Sequence, residues 1–186
     1  WQTLKEKVAK FTGWMSMTYA VSMFTRSIRQ AVTELKEIDT ILTEISKTSD
    51  RTEASLRKLG ETSFATASKY GQKASDYLLG VQEMSRAGFD ENSSEQMAEL
   101  STLAQSAGDM TAELANEYLI ATNAGYQFGG SAEKLNSVLD SQNYITNHNA
   151  LSMSELAEAT KIVASQAAQS GIGIDEMTAA VGTMIA

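Results

Sequence analysis

The sequence predicts an all-α protein, in which a long heptad-patterned N-terminal helix precedes an array of short antiparallel helices joined by glycine-containing turns. Three observations indicate this fold class. No proline occurs in 186 residues, and residues that favour helices are abundant. Apolar residues spaced three and four apart fill the N-terminal part without a break. Farther along, glycines recur where shorter amphipathic patterns end.

The first element is a ladder of apolar residues that repeats every seven positions. It consists of Trp14, Met17, Val21, Phe24, Ile28, Ala31, Leu35, Ile38, Leu42 and Ile45. We call it the seam, because such a repeat is typical of helices that self-associate in a coiled coil. A helix over residues 4–47 would be roughly 65 Å long at about 1.5 Å per residue, so part of it is expected to contact another chain. Its mixed side chains leave a trimer, a hexamer and packing on its own chain open.

The helix break at residues 48–50 divides the chain into two predicted domains. Residues 1–48 form a coiled-coil-type helix, and residues 49–186 form a compact multi-helix domain. Both ends of the chain fall within helical patterns. We therefore expect the first domain to be a piece of a longer rod and the last helix to continue beyond residue 186.

Glycines mark the junctions in the second domain, and each is expected to adopt the left-handed conformation that caps a helix. They are Gly71, Gly88, Gly108, Gly125 and Gly171. Helix starts are predicted at Asp50, from its spacing to Glu53, and at the capping box Ser152 to Glu155. Further acidic caps are expected at Asp90, Asp109 and Asp175. The predicted helices lie at about 50–70, 75–87, 91–106, 110–124, 131–147, 152–169 and from 175 onward.

Composition and charge exclude several kinds of function. Residues 1–86 carry 13 Lys and Arg against 10 Asp and Glu, whereas residues 87–186 carry 2 against 13. So acidic a second half would repel phosphates, which argues against sequence-specific nucleic-acid binding. The longest uncharged stretch of the first half, residues 11–25, is too short and polar for a membrane span. No cysteine is present, so disulfides and thiolate metal sites are excluded.

No pattern of residues indicates catalysis, a metal site or a cofactor site. His148 is the single histidine and is interpreted as a polar helix end. Glu113 and Glu117 lie one helical turn apart, but a solvated acidic face explains them better than a catalytic pair. Phosphate-loop, dinucleotide and nucleophile motifs do not occur. We therefore expect a protein that is not an enzyme and binds no cofactor.

The order and spacing of the helix ends resemble those of one protein family. The segments concerned are Lys69-Tyr70-Gly71, Tyr77 to Met84, Ala87-Gly88-Phe89 with the acidic, serine-rich start after it, and Ser170 to Asp175. Over roughly residues 45–186 the chain resembles tape measure proteins of long-tailed bacteriophages and related prophages. The resemblance implies a structural protein of the virion tail, made in the cytoplasm of the host. Such proteins set tail length, occupy the lumen of the tail tube and leave ahead of the DNA at infection.

The resemblance also implies partners: tail tube proteins, tail tip proteins, tail assembly chaperones and, transiently, the host envelope. The residues leave two other functions open. One is a bacterial coiled-coil scaffold for signalling or secretion, which would occur in cells without tail genes nearby. The other is an accessory segment of a wall hydrolase, for which a zymogram is the test.

Overall fold

The computed structural model describes residues 29–185, and every regular element within this range is an α-helix. The fold class predicted from the sequence is therefore confirmed. The described part of the first helix, α1, covers residues 29–48. The others are α2 (Glu53–Lys69), α3 (Ala74–Arg86), α4 (Glu91–Gly108), α5 (Ala112–Tyr126), α6 (Ala132–His148), α7 (Met153–Gln169) and α8 (Ile174–Ile185).

The chain forms two compact units, residues 1–39 and residues 40–186. The boundary between them lies inside α1, whereas α1 itself ends at residue 48, where the sequence predicts the break. The described part of the first unit is helical throughout. The second unit holds the end of α1 and the seven helices that follow. The division into a rod of residues 1–48 and a domain of residues 49–186 stays a prediction.

Side-chain caps begin most helices of the second unit, as the polar residues before them predict. Asp90 accepts a hydrogen bond from the Ser93 amide at 2.9 Å. Ser152 and Glu155 form the predicted capping box.

Three of the predicted acidic starts are wrong. Asp175 does not precede α8 but lies within its first turn. Thr52, not Asp50, caps α2, and Thr111, not Asp109, caps α5. Asp50 stands two residues ahead of the cap of α2, and Asp109 is occupied in closing α4, where it adopts a left-handed conformation with φ of 50°.

Three of the five junction glycines close their helices as predicted. Gly71, Gly88 and Gly171 have φ values of 69°, 90° and 76°. After each, the next amide donates to a carbonyl five residues back, as Phe89 does to Met84 at 3.2 Å. This is the Schellman arrangement, in which glycine relieves the strain of the left-handed conformation.

The other two junction glycines act differently, and the prediction that they adopt the left-handed conformation is wrong. Gly108 and Gly125 lie inside α4 and α5, and Asp109 and Gln127 adopt the left-handed conformation in their place. A Cβ atom on Gly125 would stand 3.0 Å from the Ser165 nitrogen of α7. Both glycines therefore permit close approach of another helix, since a Cβ on Gly108 would likewise lie 3.1 Å from that of Met153.

The main apolar core of the second unit lies among α3, α4, α5, α6 and α7. Its largest members with no exposed surface are Met84, Met97, Tyr118, Leu119 and Leu135. Several other core residues are alanines, which let helix backbones pack closely. Such a core stabilises the unit through many dispersion contacts and the removal of apolar surface from water.

Candidate functional site

The seam residues that the structure describes differ in exposure along α1. Leu35 is 56% exposed, whereas Ile38 is 5% and Ile45 0% exposed. Leu42 reaches α2, because a Cβ built on Gly60 would lie 2.9 Å from the Leu42 Cδ1 atom. The C-terminal end of the seam therefore contributes to the fold of its own chain.

Ala31, the first described seam residue, is exposed. The five seam residues before it lie outside the described residues, and the role of the seam as an oligomer interface stays a prediction. These residues are Trp14, Met17, Val21, Phe24 and Ile28.

A polar cavity of about 450 Å³ lies between α2 and α4, with Tyr77 of α3 in its wall. We call it the α2/α4 cavity. Its α4 wall carries Glu91, Glu95 and Glu99, which recur every four residues and so share one face of the helix. Lys58 of α2 also lines it. The charged side chains of the lining are thus three carboxylates and one ammonium group, which makes the lining acidic on balance.

Arg51 joins the segment before α2 to α4 beside this cavity. Its side chain is 1% exposed, and it donates at 2.7 Å both to the Glu95 carboxylate and to the Glu91 carbonyl oxygen. Such charge-assisted hydrogen bonds are stronger than neutral ones. The Arg51 Nε atom is buried and has no partner among the described residues.

Two tyrosines near the cavity have perturbed acidity. Burial, reinforced by the Glu95 and Glu99 carboxylates, raises the pKa of Tyr77 well above its ordinary range. Burial and the neighbouring Glu99 also raise the pKa of Tyr70, whose hydroxyl donates to Glu99 at 3.1 Å. Both phenols therefore stay protonated at neutral pH and can act only as hydrogen-bonding groups there.

A second polar cluster of the second unit joins four helices. The Tyr118 hydroxyl of α5 donates to the Gln142 Oε1 atom of α6 at 2.8 Å. The Gln142 amide donates in turn to Thr160 of α7 at 3.3 Å and to Thr178 of α8 at 3.5 Å. Each of these residues is at most 1% exposed, so the cluster fixes the mutual register of α5, α6, α7 and α8.

Sequence reasoning missed both Arg51 and this cluster. The pattern around Arg51 carries no signal, since an arginine in a polar turn is normally exposed. Gln142 could have been found, because it continues the apolar stripe of Leu135, Val138 and Leu139 at helical spacing. A polar residue in a core stripe indicates a buried hydrogen-bond partner on another helix.

The residues considered for chemistry stand apart in the described part of the chain. His148 is exposed, its ring lies 4.2 Å from that of Tyr144, and its Nδ1 atom is 2.7 Å from the Tyr144 carbonyl oxygen. Glu117 accepts from Lys161 at 2.6 Å. Between residues 29 and 185, no group of three or more acidic, histidine or cysteine side chains could hold a metal ion. No helix in the same range is both long and apolar enough to cross a membrane.

Helices α2 to α8 lie within a region that matches a known protein family. The model of the phage-related minor tail protein family matches residues 53–186, from the first residue of α2 to the last residue of the chain. The match covers well over half of the sequence. The chain belongs to the phage-related minor tail protein family. It is therefore a structural component of a phage tail. No solved structure matches this minor tail protein.

The family match also places the sites relative to one another in the sequence. The hydrogen-bonded cluster around Tyr118 and Gln142 and all residues that line the α2/α4 cavity lie inside the matched residues. Arg51 and the whole seam precede them. The compact helices are thus the part shared with the family.

Proposed function

We propose that this minor tail protein is a tape measure protein, which sets tail length, lies in the lumen of the tail tube and leaves ahead of the DNA at infection. The observation that carries the proposal is the heptad pattern, which runs without proline or glycine from Trp14 into the described helix α1. A helix converts residue number into distance at about 1.5 Å per residue. A repeated seam would hold several such helices in register along a tube.

Two features support the proposal further. Family membership assigns the chain to the tail, where a ruler acts. The surplus of 11 negative charges in residues 87–186 would disfavour adhesion to the DNA that follows it through the tube. The proposed partners are the tail tube, tail tip and tail assembly chaperone proteins, with transient contact to the host envelope. The proposal assigns no catalytic step and no cofactor to the chain.

Insertion of ten additional heptads between Ile28 and Arg29, in a phage that carries this protein, tests the proposal. If the helix is part of a ruler, the 70 added residues lengthen the tail by about 105 Å. Tail length is measured by electron microscopy of purified virions. A deletion of seam heptads should shorten the tail at the same rate per residue.

The matched control inserts the same 70 residues between Asn149 and Ala150, in an exposed turn outside the rod. This variant has the same mass and composition, and its tails should keep the parental length. Unchanged tails after the insertion at Ile28 would refute the ruler. Equal lengthening by both insertions would refute it as well, since tail length would then follow chain mass rather than rod length.

A further inference from the structure

The α2/α4 cavity continues along α4 into a second cavity. The second cavity has a volume of about 350 Å³ and lies between α4 and the start of α6, with Tyr70 in its wall. Gln96 and Glu99 line both cavities, so the two form one groove, which we call the α4 groove. From Glu91 to Leu103 it follows the helix for about 18 Å, at about 1.5 Å per residue. An extended ligand of several units therefore fits it better than a compact one.

The α4 groove contains hydrogen-bonding side chains that have no partner in the described part of the chain. The most buried is Tyr77, which is 3% exposed and lines the groove with a hydroxyl that makes no hydrogen bond to any described residue. A buried hydroxyl normally has a partner, because an unpaired polar group is costly. The side chains of Thr66, Asn92 and Gln96 also line the groove and form no hydrogen bond within residues 29–185. A ligand that both donates and accepts hydrogen bonds would satisfy all four.

The charge of the three α4 glutamates in the groove is balanced by basic groups around them. Glu95 accepts from Arg51 at 2.7 Å, Glu99 accepts from Lys69 at 3.1 Å, and Lys58 supplies a third positive charge. A site that is neutral as a whole has no strong attraction for an ionic ligand. Among the described residues, the acidic side chains also form no group that could hold a metal ion. A neutral ligand therefore fits the groove best.

The paired glutamates can still accept hydrogen bonds from such a ligand. The contacts with the basic side chains use the Oε1 atoms of Glu95 and Glu99, and their Oε2 atoms have no hydrogen-bond partner in the described part of the chain. Each of these two side chains is 38% exposed, so a ligand can reach both from solvent. Carboxylate oxygens are strong acceptors for hydroxyl groups.

We propose that the α4 groove binds a neutral, linear oligosaccharide. Sugar hydroxyl groups both donate and accept hydrogen bonds, which matches the carboxylate, amide and hydroxyl groups of the lining. A peptide fits less well, because peptide recognition depends on apolar pockets for anchoring side chains. Leu59 is the only aliphatic residue in the lining of the α2/α4 cavity. The proposal concerns binding alone and does not depend on the tape measure function.

Isothermal titration calorimetry of the full chain tests the proposal with three neutral trisaccharides: maltotriose, cellotriose and tri-N-acetylchitotriose. At least one of them should bind. For that sugar, the double variant Tyr77→Phe with Gln96→Ala should raise the Kd at least tenfold at unchanged helicity, because it removes a hydroxyl and an amide that have no other partner. The matched control, Tyr144→Phe with Gln166→Ala, makes the same changes on exposed side chains outside the groove and should keep the parental Kd.

Three outcomes would overturn the proposal. If none of the trisaccharides bound, the groove would hold only water. If the control weakened binding as much as the groove variant, the sugar would bind elsewhere. If spermidine, a linear cation, or trialanine, a short peptide, bound more tightly than every sugar and lost affinity in the groove variant, the groove would serve another class of ligand. Tail length plays no part in this experiment, so failure here and failure of the ruler proposal are distinguishable.

Discussion

Two sides of the second unit are held together by different forces. Between α5 and α7 the backbones approach so closely that a Cβ on Gly125 would lie 3.0–3.1 Å from backbone atoms of α7. Between α2 and α4, a cavity of about 450 Å³ separates the helices, and Arg51 bridges them through directed hydrogen bonds. The close-packed side depends on shape, whereas the cavity side depends on a few polar contacts.

The difference shows how one fold can combine a close-packed part with a part held by polar contacts that can adapt. Close packing tolerates little change in side-chain volume, because protein interiors have almost no free space. Polar contacts around an open cavity can adapt, since water can replace a lost partner there. The helix next to α1 is on the adaptable side, and the helices farthest from it along the chain are on the rigid side.

The largest effect on stability is expected when a buried leucine is replaced by alanine, once on each side. Leu135→Ala opens a closed cavity in the main core and should lower the free energy of unfolding by about 3–5 kcal/mol. Leu59→Ala, at a residue that is equally buried but lines the α2/α4 cavity, should lower it by about 2 kcal/mol, because the new space joins an existing one. Urea unfolding followed by circular dichroism measures both. Equal losses would mean that the two sides pack alike.

Two buried tyrosines give the next comparison. Tyr118→Phe removes the donor to the Gln142 Oε1 atom in a fully buried cluster and should cost about 1–3 kcal/mol. Tyr77→Phe should cost less than about 0.5 kcal/mol, because the Tyr77 hydroxyl has no hydrogen-bond partner in the described part of the chain. Thermal unfolding of the two variants decides the point. If Tyr77→Phe proved the more damaging, the cavity would hold a partner for its hydroxyl.

These positions also show how far sequence reasoning reaches. The apolar spacing predicts every described helix to within a few residues, since a packed face imposes a period of 3.6 residues. Gly71 and Gly171 are equally predictable, because their role depends on local backbone conformation alone. The prediction for Gly125 was wrong because the role of this glycine depends on where α7 lies. The partners of Arg51 and Tyr118 are distant in sequence, and no local pattern carries that information.

Arg51→Met should lower the free energy of unfolding by about 1–3 kcal/mol, less than the core substitution. The loss is moderate because Glu95 is 38% exposed and water can hydrate it once the arginine is gone. Arg57→Met serves as the control, since that side chain is 80% exposed and 4.0 Å from Glu61, and it should have almost no effect. Chemical unfolding at two salt concentrations measures both. Similar losses for the two arginines would show that the buried contacts of Arg51 stabilise the protein no more than the exposed ion pair of Arg57.

A pair of glycines isolates backbone strain from either kind of packing. A Cβ on Gly71 or on Gly173 would meet nothing within 4 Å, but only Gly71 has a positive φ, of 69°. Gly71→Ala should therefore cost about 1–2 kcal/mol. Gly173→Ala should be neutral or slightly stabilising, because alanine lowers the entropy of the unfolded chain. If the two substitutions lowered the melting temperature equally, the loss would have to come from packing contacts that the structure does not contain, and not from the positive φ of Gly71.

The smallest expected effect is on stability at acidic pH. It compares the start of one helix from each side. The Ser93 amide lowers the pKa of Asp90 at the start of α4, and the Ser152 amide lowers the pKa of Glu155 at the start of α7. A carboxyl group whose pKa is lowered by folding stabilises the protein above its ordinary pKa. That stability is lost as pH falls through the lowered value, here below about pH 4.

Asp90→Asn and Glu155→Gln keep an acceptor oxygen at each helix start but cannot titrate. The double variant should therefore show a shallower loss of stability between about pH 5 and pH 3 than the parent, as measured by thermal unfolding across that range. Each single variant should account for part of the difference. An unaltered pH dependence would mean that neither charge contributes. An effect from Asp90 alone would place the acid sensitivity on α4, the helix that lines the cavity, because close packing would then hold the start of α7 without its charge.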